Sequence, residues 1–109
     1  MSLFQRFRKY VLTETAPARA TWGIRRYLQL DYEGAARLLA RALADRPGME
    51  MLPLIRAYGV LSRIRTGDEG LISELDSVRE RLIADEGRDG HLQSAAIAEI
   101  NRLLADRGP

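Results

Sequence analysis

Between Ala16 and Pro47 the apolar residues fall into two runs of helical period, divided by a tight turn at Leu30–Asp31. Trp22, Tyr27 and Leu30 mark one face of the first run. Tyr32, Ala35, Leu38, Leu39, Ala42 and Leu43 mark one face of the second. Two amphipathic helices joined by so short a turn bury those faces by lying antiparallel. Gly23, Ala35 and Ala42 leave little bulk between the backbones, so the helices can approach closely. Pro47 lacks the donor that a continuing helix needs and biases Arg46 away from helical geometry, which closes the second helix.

The order and spacing of these residues resemble one tetratricopeptide repeat (TPR) over 16–49. With Ala16 at the first position, Gly23 falls on the small residue of helix A and Asp31-Tyr32 on the turn. Ala35 and Ala42 fall on the small positions of helix B, Leu39 on the bulky one between them, and Pro47 on the closing proline. The hairpin at 49–84 resembles a divergent second repeat. Gly67-Asp68 matches the turn, whereas Asp76 and Arg79 replace a bulky and a small residue.

The resemblance implies an all-α fold of stacked antiparallel hairpins, a short solenoid. It also implies a non-enzymatic protein–protein interaction module whose helix A residues line a groove. Carried onto this chain, those partner-binding positions are Ala20, Ile24, Tyr27 and Leu28. TPR domains that clamp a peptide carboxylate use Lys, Arg and Asn there. These four are uncharged and mostly apolar, which points to an apolar helix or extended segment as the ligand, or to self-association into a homo-oligomer.

A chain of 109 residues is expected to form a single helical domain, 1–109, with a core of its own. The absence of cysteine removes disulfides and thiolate chemistry. No apolar run reaches the length of a membrane span and no signal-peptide block opens the sequence, so a cytoplasmic protein is expected. Net charge is only +2, but residues 1–26 hold six basic side chains against Glu14. Leu3, Phe4, Phe7, Tyr10 and Val11 recur at helical spacing opposite Gln5, Arg6, Arg8 and Lys9, which predicts an amphipathic helix over 3–12. Phe4, Phe7, Arg8, Lys9 and Val11 form an arm suited to a partner, to packing on the domain, or to an acidic inner membrane face. A peripheral membrane-surface protein is therefore one alternative function. Nucleic-acid binding through Arg8, Lys9, Arg25 and Arg26 is another, and no base-reading motif accompanies it.

Further along, Met51, Leu54, Ile55, Tyr58, Leu61 and Ile64 predict the inward face of a helix over 49–64, with Pro53 in its first turn. Gly59 is expected to mark a second close helix crossing. Thr66 and Glu69 have capping-box spacing, with Asp68 as the alternative cap. The helix they would start runs to about Ala84, with Leu71, Ile72, Leu75, Val78, Leu82 and Ile83 inward. After a loop at 85–90, a capping helix over 90–106 buries Leu92, Ala96, Ile100, Leu103 and Leu104. Six helices are expected in all. The loop lacks the bidentate acid of a calcium site, and His91 stands without a partner histidine or cysteine for a metal. No metal, cofactor or catalytic residue is assigned.

Overall fold

The computed structural model describes residues 15–85 and 90–106. These residues form five α-helices, two 3-10 helices and no strand, so the fold is all-α. The expected helix over 3–12, with Phe4, Phe7, Arg8, Lys9 and Val11, lies outside the described residues, as do 86–89.

Helix α1 spans Ala16–Leu28 and α2 spans Tyr32–Asp45. A 3-10 helix at Pro47–Met51 leads into α3, Pro53–Arg65. A second at Glu69–Glu74 leads into α4, Leu75–Ala84, and α5 is Gly90–Asp106. Thr15 caps α1 by accepting from the Ala18 N–H at 3.3 Å, and Asp31 caps α2 by accepting from the Gly34 N–H at 3.0 Å. Each helix packs on its successor, and α3 also touches α1 and α5. Helix α3 is thus the hub of the molecule. Its sequence fits that place, because Ile55, Ala57, Tyr58, Gly59, Val60, Leu61, Ser62 and Ile64 are all buried, on every side of the helix. The buried Ser62 hydroxyl donates to the Gly59 carbonyl at 3.0 Å.

Helices α1 and α3 end in the same way. The Leu30 N–H donates to Tyr27 O and the Asp31 N–H to Arg26 O, both at 2.9 Å. After α3 the Gly67 N–H donates to Ile64 O at 3.1 Å and the Asp68 N–H to Arg63 O at 2.9 Å. This paired pattern satisfies the last carbonyls of a helix and requires a left-handed residue just past its end. Gly67 supplies it at φ 118°, and Leu30 supplies it at φ 68°.

Several sequence expectations are corrected by this geometry. Leu30 is 73% exposed because the left-handed turn throws its side chain outward, and Trp22 is 41% exposed with the Arg25 guanidinium 5.3 Å from its ring centre. Met51 lies in the 3-10 turn, since Pro53 delays α3, and is 70% exposed. Ile83 is also outward, because Leu75, Val78 and Leu82 set the buried stripe of α4. Thr66 caps the end of α3, donating to Ser62 O, and does not begin the next helix. Gly59 marks no close crossing, for a methyl group there would meet nothing within 4 Å.

Candidate functional site

The tight α1–α2 contact fixes the first wall of the site. A methyl group on Gly23 would lie 2.7 Å from Leu39 Cγ and 3.4 Å from the Ala35 carbonyl oxygen. Ala35 and Ala42 are fully buried beneath it. With α2 seated on the Gly23 face, Ile24 and Leu28 lie beside the residues where α3 begins.

A polar network anchors α5 across α1 and α3. Tyr27 of α1 donates its hydroxyl to Glu99 Oε2 at 2.9 Å, and Arg65 of α3 reaches the same oxygen at 2.8 Å. Arg102 pairs with Glu99 Oε1 at 2.5 Å. The Arg65 guanidinium also sits 5.3 Å from the Tyr32 ring centre, while Tyr27 packs against Tyr32 and edge-on against Tyr58. Partial burial alone would raise the Glu99 carboxyl, but the hydrogen bonds from Arg65 and Tyr27 outweigh it and hold the group below the usual carboxylate range. Burial pushes the Tyr58 hydroxyl up to about 12 and the Tyr27 hydroxyl higher still. Hydrogen bonding to Glu99 raises Arg65 further, so the pair is charged throughout the physiological range.

The same network positions the first turn of α5. Tyr58 donates to the Leu92 carbonyl at 2.8 Å. The Gln93 amide donates to the carbonyls of Leu82 and Asp85, which satisfies the open end of α4. Leu92 thereby joins Ile24 and Leu28 in lining a groove of about 880 Å³. Leu52, Pro53, Leu54 and Ile55, at the start of α3, also line it, and Thr21, Arg25 and Asp85 complete the lining. Leu28 and Leu52 are about half exposed within it. The walls are therefore largely apolar, with one cation from Arg25 and one anion from Asp85. That arrangement suits the side chains of a peptide or helix.

Of the expected partner-binding residues, Ile24 and Leu28 line this groove. Ala20 and Tyr27 do not, being 1% and 2% exposed in the core. Tyr27 faces α5 because its hydroxyl has Glu99 as partner, a contact that helical period within α1 could not reveal. The sequence reading also missed Leu52, Leu54 and Leu92 as groove residues. Leu52 and Pro53 carried a signal, an apolar residue before a helix-starting proline, but Leu92 enters only through the folding back of α5.

Among the described residues no group of three His, Asp or Glu side chains could hold a metal ion, and no helix is long and apolar enough to cross a membrane. The chain matches no protein-family model, and neither a curated protein nor a solved structure shows significant similarity to it.

Proposed function

We propose that the protein is a small helical-hairpin interaction module of TPR type, whose groove between α1, the start of α3 and α5 takes an apolar helix or peptide. The observation that carries the reading is the exposure of Leu28 and Leu52 inside a preformed apolar groove. Two features support the repeat character. Consecutive helices pack pairwise, with α3 also touching α1 and α5, and the turns ending at Asp31 and Asp68 share one hydrogen-bond pattern, with an arginine at Arg26 and Arg63 in the same place.

The test is selection of a random peptide display library on the full chain. Enrichment of peptides with apolar residues at i, i+3, i+4 and i+7, lost on Leu28→Asp/Leu52→Asp, is expected. No enrichment, or binding indifferent to that double substitution, overturns the reading.

A further inference from the structure

The groove lies close to where the described chain begins. Thr15 caps α1, and Thr21, Ile24 and Leu28 line the groove one to three turns further along the same helix. Fourteen residues precede Thr15, and 3–12 carry the amphipathic pattern of Leu3, Phe4, Phe7, Tyr10 and Val11. We propose that this segment is the groove's resident occupant, folding back along α1 as a tethered helix that an outside partner must displace. This inference rests on the groove being a docking site.

Length and spacing make the fit specific. A helix over 3–12 would be about 15 Å long, and the lining from Thr21 to Leu28 extends about 10 Å along α1. Residues 13–15 are the three-residue loop that an antiparallel pair of helices needs. With Leu12 beside Ala16, equal rise along both helices brings Phe7 level with Thr21 and Phe4 level with Ile24. The bulky apolar residues thus fall level with groove residues. Tethering supplies an effective concentration of order millimolar, so even a contact of about 0.1–1 mM intrinsic affinity fills the groove much of the time.

The chain contains no cysteine, which permits a clean cross-linking test on the full-length protein. Phe7→Cys/Thr21→Cys places both thiols where the proposal brings them together, and Phe7→Cys/Arg41→Cys uses an exposed position on α2 as the comparison. Under mild oxidation at micromolar concentration, the first pair is expected to close an intramolecular disulfide at least about tenfold faster than the second. Equal rates, or a first pair that yields only covalent dimers because a second copy fills the groove, overturn the proposal. Phe4→Asp/Phe7→Asp adds an independent readout. Releasing the segment should tighten binding of a display-selected peptide about three- to tenfold, and unchanged affinity counts against it. Peptides that bind without selective cross-linking sink the tethered occupant alone. Failure of peptide selection on the released variant sinks the groove reading as well.

Discussion

Gly23 and Leu39 are in contact so close that a methyl group on the glycine would sit 2.7 Å from Leu39 Cγ, an atom near the root of its side chain and unable to swing aside. Gly23→Ala is therefore expected to destabilise the protein by about 1–2 kcal/mol, overpacking strain exceeding the gain in helix propensity. Gly59 in α3 is the counter-case. It is buried too, yet a methyl group there meets nothing within 4 Å. Gly59→Ala should stabilise by about 0.5–1 kcal/mol. Urea denaturation of both variants checks the opposite signs, and equal signs would refute the packing account.

The two helix ends at Leu30 and Gly67 predict a second pair of opposite effects. Leu30 adopts φ 68° while leaving its side chain 73% exposed, so it carries backbone strain with little packing in return. Leu30→Gly relieves that strain and should raise stability by about 0.5–1 kcal/mol, less the added freedom of the unfolded chain. Gly67→Ala imposes the strain and should lower stability by about 1 kcal/mol. Thermal unfolding followed by circular dichroism suffices, with the two midpoints expected to move in opposite directions.

The helical class and the α1–α2 hairpin were legible because local rules set them: periodic Ala35, Leu39 and Ala42, a cap at Asp31 and a stop at Pro47 all agree. The later boundaries were less legible. Thr66 lies where the end of one helix and the start of another compete for the same hydroxyl, and the hydrogen bonds to Ser62 and Arg63 decide it. Of the four expected partner-binding residues, Ile24 and Leu28 lie at the groove and Ala20 and Tyr27 in the core. Ile24 and Leu28 follow from the face of α1, but Tyr27 is withdrawn by Glu99, distant in sequence. Leu92 is added by the Tyr58 hydrogen bond. Such tertiary contacts leave no periodic trace.

Glu99 gives the protein an acid-side signature. Its folded pKa lies below the unfolded value of about 4.3, so its contribution to stability is complete above that pH and is lost as pH falls through the folded value. Glu99→Gln leaves Arg65 without its anionic partner and should cost about 1–3 kcal/mol at pH 7. Wild type and variant should converge in stability as pH falls below the usual carboxylate range, measured by urea titration at several pH values. A gap that stays constant as pH falls would mean that the loss comes from packing and not from the ionised pair.

Tyr27 and Tyr58 act at the other end of the scale. Unfolded tyrosine titrates near 10, whereas burial raises Tyr58 to about 12 and Tyr27 beyond it. Because the folded chain holds these protons more tightly, the stability linked to them is intact below about pH 10 and drains away as pH rises toward the folded values. Tyr58→Phe removes the hydroxyl that holds the Leu92 carbonyl and should cost about 1 kcal/mol at neutral pH. At pH 11 and above the penalty should shrink or reverse, since the variant has no phenol to ionise. Absorbance of tyrosinate across pH 9–12 beside unfolding by circular dichroism would separate the steps. Ionisation of the Tyr58 and Tyr27 phenols should coincide with loss of helix, and their titration in a chain still fully helical would overturn the assignment of both hydroxyls to the α1–α3–α5 junction.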